Sequence, residues 1–235
     1  MRQTPAQAHY MRTMAAMAAA AAGATNAHGH TVGDAYDLQR AQLHHHRVAL
    51  KAIKSTERKA EAKRAMLPEY DAYLGGVLQH KPGTQDEVVT TILVWAIDAG
   101  DYKRAMPLAE YALASGMTPP DNYSRDMASV VAEEIADAVM AGRLVGQEAV
   151  AVTQCALQLT AEADIHDQIR AKLCKATGWA LLGKTNSTDV AMDAKGRTLQ
   201  VCSAALPFLK RAMELDPVRA GVKKDIERLE QRLKK

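Results

Sequence analysis

Aromatic residues are scarce. They make up 4% of the 235 residues, with a single phenylalanine, Phe208. Sheet-rich cores draw on β-branched and aromatic side chains, whereas the apolar content here is carried by alanine, leucine and methionine, which favours helices. Cysteine is sparse as well. Cys155, Cys174 and Cys202 are odd in number, far apart and without a C-x-x-C pair, so they read as small core residues in a reducing compartment rather than a disulfide framework. Long apolar runs are missing too: no stretch reaches the roughly 18 uninterrupted apolar residues that a membrane-spanning helix needs. The run MAAMAAAAAG (Met14 to Gly23) is built on alanine, a weak signal-peptide core, and His9, Tyr10 and Arg12 make an unsuitable leader. It reads as an alanine-rich helix or disordered arm, not as a signal peptide.

Charge is present and segregated. The net charge of +3 conceals two basic ends and an acidic middle. Residues 38 to 66 hold eight Lys/Arg against two acids (+6), and residues 218 to 235 hold seven against three (+4). Residues 67 to 217 hold thirteen bases against twenty acids (−7). A basic segment of this kind is the electrostatic footprint of a polyanion partner such as nucleic acid.

The N-terminal residues end in a loop-like stretch, GATNAHGHTVGD. Leu38 to Met66 contains neither Gly nor Pro, and Pro68 follows, which predicts one long helix. Leu43, Leu50, Ile53, Ala60 and Leu67 form a narrow apolar seam along it, beside a stripe of Arg40, Arg47, Lys51, Lys54 and Arg58. An apolar line next to a basic line suits coiled-coil assembly or DNA contact. After a turn at HKPGTQD, the run VVTTILVWAI keeps the i, i+3, i+4 pattern through Val88, Val89, Ile92, Leu93 and Ala96. Thr84 and Glu87 have capping-box spacing, so this run is assigned to a helix despite its β-branched residues. A second helix follows from Tyr102 to Ser115, stopped by Gly116. Further helices are expected at about 122 to 141, 146 to 162, 165 to 182, 198 to 215 and 218 to 234. The fold class is all-α: a long basic N-terminal helix, then antiparallel helical hairpins.

Two stretches carry related offsets. Tyr102, Ala105, Ala109, Ala112 and Leu113 resemble the second helix of a tetratricopeptide repeat, and Ala205, Leu209, Ala212, Met213 and Pro217 repeat the pattern. The W-x-x-L-G of Trp179, Leu182 and Gly183 fits the first helix of such a unit, with the polar stretch KTNSTDVAMDAKG as a loop inserted before the second. This bears on GWALLGKT (Gly178 to Thr185), which matches the phosphate-loop pattern G-x-x-x-x-G-K-[ST] letter for letter. A phosphate loop follows a buried strand and wraps the anion with free backbone amides. Here the preceding DQIRAKLCKAT is helical, and helical amides are committed to i−4 carbonyls. Gly183 is expected to end that helix, and Lys184→Ala to leave the fold intact. The expected domains are a flexible arm over 1–37, the basic helix over 38–67, a central helical domain over 68–145 and a tetratricopeptide-like domain over 146–235.

Several segments together resemble the small terminase subunit of tailed phages, a family also labelled the terminase endonuclease subunit. They are TPAQAHYMR, the long central LPEYDAYLGGVLQHKPGTQDEVVTTILVWAIDAGDYKRAMPLAEYAL, and AMELDPVRAGVKKDIERLE. The resemblance runs from about Pro5 to Leu233, with GTQDEVV, the W-x-I-D-A-G-D turn and VKKDIERLE its most specific parts. It implies binding of double-stranded viral DNA at a cos-type packaging site, as a homo-oligomer that can be a ring. It also implies a large terminase subunit as partner, holding the ATPase and nuclease, and a place in the host bacterial cytoplasm with no membrane role. Relatives can carry a longer basic tail, and DNA affinity residing in such a tail is expected to be missing here.

On charge and resemblance together, the DNA-contact candidates are Arg40, Arg47, Lys51, Lys54, Arg58, Lys59, Lys63 and Arg64. No helix-turn-helix signature locates base readout. His44, His45 and His46 are consecutive and point about 100° apart on a helix, so they do not share a metal; they read as a polar face that charges below pH about 6.5. Glu133, Glu134 and Asp137 are the closest acidic set for two-metal phosphodiester cleavage. Their neighbours Val130, Val131, Ile135 and Val139 make them a solvated helix face instead. No catalytic residue, cofactor or metal is therefore assigned. The alternatives are a metal-dependent endonuclease subunit that cuts concatemeric DNA itself, and a helical-repeat scaffold without DNA contact.

Overall fold

The computed structural model describes residues 4–6, 9–10, 13–14, 34–120, 125–187 and 198–234. Among them no β-strand occurs, and the chain is all-α as its composition predicts. The alanine-rich run after Met14 lies outside the described residues, as do most of the expected arm and the greater part of the KTNSTDVAMDAKG loop. The chain divides into two compact units, Met1–Met127 and Ala128–Lys235.

The first unit contains α1 (Asp34–Lys51), α2 (Thr56–Met66), a 3-10 turn (Leu67–Tyr70), α3 (Asp71–His80), α4 (Glu87–Ala99) and α5 (Tyr102–Ala114). Its centre is α4, the VVTTILVWAI segment, with every residue from Val88 to Ile97 buried. A helix apolar on nearly all sides has to be surrounded, and α1, α2 and α5 pack against it. Its start differs from the expected Thr84–Glu87 capping box. Asp86 is the N-cap, its carboxylate accepting from the Val88 and Val89 amides at 2.8 and 3.0 Å and from the Tyr73 hydroxyl at 2.5 Å. Glu87 thereby remains available for other partners. At the far end Gly100 turns left-handed (φ +73°), and the Asp101 amide bonds Ala96 O at 2.8 Å. Asp101 then caps α5 through the Arg104 amide. The turn packs α5 back on α4, where Ala105, Ala109 and Ala112 are fully buried.

The single helix expected over Leu38 to Met66 is two helices. The Ala52 and Ile53 amides bond the Ala49 and Leu50 carbonyls three residues back, tightening the end of α1. Ser55 then caps α2, accepting from the Arg58 amide at 3.3 Å. A serine hydroxyl in place of a lost backbone bond is enough to stop and restart a helix without Gly or Pro. The apolar seam is also spent inside the chain: Leu43, Leu50 and Leu67 are buried, and Ile53 and Ala60 half-buried.

The second unit contains α6 (Met127–Met140), α7 (Gly146–Leu159), α8 (Asp167–Leu182), α9 (Leu199–Leu215) and α10 (Lys223–Leu233). Helix α8 packs extensively on α9, and Gly178 lies against Leu209 and Ala205 of α9. A Cβ placed there would lie 2.8 Å from Leu209 Cγ and 3.4 Å from Ala205 O. Gly183 ends α8 in the left-handed conformation (φ +65°), with the Lys184 amide bonded to Trp179 O at 2.8 Å. Ala205, Leu209 and Ala212 of α9 are fully buried.

Candidate nucleic-acid interface

The eight candidate cations divide into two groups of four. Arg40 and Arg47 of α1 both reach Glu87: Arg40 Nε bonds one carboxylate oxygen at 3.2 Å, Arg47 pairs with the other, and a second Arg47 nitrogen bonds Thr91 Oγ1 at 2.8 Å. Burial pushes the Glu87 carboxyl up, but hydrogen bonding and charge from Arg47 and then Arg40 outweigh it and hold the group below its ordinary range. On α2, Lys63 pairs with Asp98 and lies 5.9 Å from the centre of the Trp95 ring, while Arg64 donates to Ala99 O. These four cations bind the two basic helices to α4.

Glu87, Thr91, Trp95 and Asp98 are the receiving line. Spaced i, i+4, i+8 and i+11, they run along one face of α4; Glu87 belongs to the GTQDEVV segment, Trp95 and Asp98 to W-x-I-D-A-G-D, and Thr91 lies between the two. Sequence reasoning quoted both segments without assigning them this role. The available signal was two acids and a threonine recurring on one face of an otherwise apolar helix.

Lys51, Lys54, Arg58 and Lys59 flank the α1–α2 break and have no ion-pair partner among the described residues. Lys51, Lys54 and Arg58 are exposed and Lys59 half-exposed. A concentration of unpaired ammonium and guanidinium groups at a helix junction is suited to phosphate contact.

The three histidines separate as their 100° spacing requires. His44 and His45 are exposed, whereas His46 is buried and shares a hydrogen bond of 2.8 Å with the Tyr70 hydroxyl. The expected polar face thus loses one member to the core. Burial lowers the His46 value below 6.5, against the opposing pull of Glu69. Among the described residues no group of His, Cys, Asp or Glu is arranged to hold a metal. Of the acidic set on α6, Glu133 and Asp137 are bridged by Lys172 of α8, at 3.3 and 2.7 Å. An ammonium therefore stands where a divalent ion would have to bind.

GWALLGKT forms no phosphate cradle. Gly178 to Leu182 is the last turn and a half of α8, and the lysine points into the protein. Lys184 Nζ bonds both oxygens of Asp225 on α10, at 2.6 and 2.7 Å, and Trp179 Nε1 donates to the same carboxylate at 3.0 Å. Lys175 and Lys184 each lie 4.5 Å from the Trp179 ring centre. The family segment VKKDIERLE is thus anchored through its aspartate. Lys184 is a structural residue, contrary to the expectation that alanine there is harmless.

Comparison with known proteins agrees with the resemblance seen in the sequence. A family model described as the phage small terminase subunit matches residues 40–168. The chain is 39% identical over 232 residues to a protein of Escherichia phage P2 named "Terminase, endonuclease subunit", covering 98% of this chain and 86% of that one. It is 25% identical over 209 residues to a "Probable terminase, endonuclease subunit" of Haemophilus phage HP1, covering 86% of this chain and 72% of that one. No solved structure matches the chain. The matched family residues begin at Arg40, the first cation docked on α4, and run through both acceptor segments; the chain belongs to the phage small terminase subunit family.

Proposed function

We propose that this chain is the DNA-gripping subunit of a phage packaging terminase. It binds the packaging site of viral DNA as an oligomer in the host cytoplasm and recruits a large subunit that supplies ATP hydrolysis and DNA cleavage. The observation that carries this reading is the cluster Lys51, Lys54, Arg58 and Lys59 at the α1–α2 junction, without ion-pair partners among the described residues. Arg40, Arg47, Lys63 and Arg64 contribute by holding the two helices on α4.

The division of labour has a thermodynamic signature. Each phosphate neutralised lowers the slope of log K against log salt by about 0.9, so four contacts give roughly −4 per subunit and eight give roughly −7. Salt-titrated binding to a packaging-site duplex and an unrelated duplex measures that slope. Changing Lys54, Arg58 and Lys59 to Glu is expected to abolish binding while circular dichroism stays native. Unchanged affinity in this variant would remove the junction from the interface.

The relatives' names raise intrinsic cleavage as the second reading. Lys172 between Glu133 and Asp137 weighs against metal binding there. Incubating the purified chain with supercoiled DNA and Mg²⁺ tests it directly. Nicking that disappears in Glu133→Ala would assign the chemistry to this subunit.

A further inference from the structure

We propose that the outward face of α1 is a self-association surface that takes α1 of a second copy of this chain, antiparallel and related by a two-fold axis. The proposal rests on the oligomeric part of the reading above and names the contact. The inward face of α1 is packed within its own unit through Tyr36, Gln39, Leu43, His46 and Leu50. On the opposite side Leu38, Ala41, His45, Val48 and Ala52 recur at steps of three, four, three and four, which is the spacing of a coiled-coil seam. All five are exposed, Leu38 and Val48 to 54% each. Single exposed hydrophobics on a surface are ordinary, but two of them in register with small alanines form a strip along which a second helix can approach closely.

Charge fixes the partner and its direction. Asp37 and Lys51 are exposed, flank the same edge of this strip, and have no ion-pair partner among the described residues. Fourteen residues of helix separate them by about 21 Å, so they do not reach each other within one chain. An antiparallel α1 with the two-fold axis between Ala41 and His45 sets Leu38 on Val48 of the second copy and Ala41 on its His45. The same arrangement brings Asp37 beside Lys51 of the second copy at both ends, so every contact occurs twice, as an isologous interface requires. A parallel pairing instead faces Asp37 with Gln42 and Lys51 with Thr56 and gains no ion pair. The strip is therefore complementary to itself in one direction.

The test uses the full chain at low salt without DNA, by sedimentation equilibrium and native mass spectrometry. The wild type is expected to populate dimers, or even-numbered assemblies built from them. Asp37→Lys or Lys51→Asp alone, each setting like charges against each other, is expected to raise the dissociation constant about tenfold. The double exchange is expected to restore wild-type association. Val48→Asp places a charge in the strip and is expected to give monomers with unchanged helicity. A monomeric wild type at micromolar concentration, which is also the outcome if the chain's own N-terminal segment covers the strip, overturns the proposal. So do single exchanges without effect, or a double exchange no better than either single. Lys51, counted above among the junction cations, is given to the interface by this pairing; the DNA reading is tested separately at Lys54, Arg58 and Lys59, which lie off the strip, so either idea can fail alone.

Discussion

Asp225 makes Lys184, which the sequence marks as replaceable by alanine, structural in the fold. Only 8% exposed, Asp225 accepts from Trp179 Nε1 and twice from Lys184 Nζ. Removing one partner of a buried charge pair costs more than the pair itself contributes, because the remaining charge keeps its desolvation penalty. Lys184→Met is therefore expected to lower unfolding stability by about 2–3 kcal/mol, measured by urea denaturation. An unaltered midpoint would show that the pair is not formed in solution. His46 makes the corresponding statement about pH. Its folded value lies below its ordinary 6.5 because burial disfavours the imidazolium. The unfolded chain therefore takes up the proton first as pH falls, and the contribution of neutral His46, present at neutral pH, is lost below 6.5. Stability is expected to decline on mild acidification, and His46→Gln to flatten that decline in denaturation series at pH 7.5 and 5.5.

Among the elements, α4 was the most legible and the region around residue 53 the least. The apolar periodicity of Val88 to Ala96 outweighed β-branched composition, because a helix buried on all sides gains more from packing than it loses in propensity. Its cap lies two residues beyond the expected one: Thr84 and Glu87 have the right spacing, but Asp86 is the residue whose carboxylate meets the first amides. Burial pushes the Asp86 carboxyl above its ordinary value, while hydrogen bonds from Tyr73 and the two amides pull the other way. Asp86→Ala removes the cap and leaves the buried Tyr73 hydroxyl without that partner. It is expected to cost about 2–4 kcal/mol in chemical denaturation, and Asp86→Asn less, since the amide oxygen still accepts. The break between α1 and α2 was illegible for a different reason. Ser55 followed by Thr56 and Glu57 is a helix-start signal, but inside a Gly- and Pro-free basic run it competes with uninterrupted helix, and tertiary contacts decide. Those contacts are Arg47 on Glu87 and Lys63 on Asp98, one on either side of the break. The eight cations are singled out as candidates by charge and resemblance together. Which of them remained unpaired depended on α4, some 40 residues away in sequence, and no local pattern reports that.

The whole molecule repeats one device in its two compact units. In each, a helix carries a Trp-Ala pair in its final turns and is ended by a left-handed glycine, Gly100 or Gly183, and the next amide reaches five residues back, Asp101 to Ala96 and Lys184 to Trp179. In each, the helix that follows buries alanines 105, 109 and 112 or residues 205, 209 and 212 against the first. With a core of its own, each unit is expected to unfold in a transition of its own. Glu87→Ala should lower one midpoint and Lys184→Met the other, with calorimetry resolving the two. A single transition shifted equally by both variants would show the units to be one cooperative body.

The lysines beside the indole rings have an optical consequence. The chain's two tryptophans fall one to a unit, Trp95 near Lys63 and Trp179 between Lys175 and Lys184. Indole emission responds to a neighbouring ammonium, so each half of the molecule carries its own built-in fluorophore, tuned by its own cation. Replacing either tryptophan with phenylalanine leaves a single-colour reporter of the other half. The opening of α2 from α4, or of α10 from α8, can then be followed in light without attaching a dye.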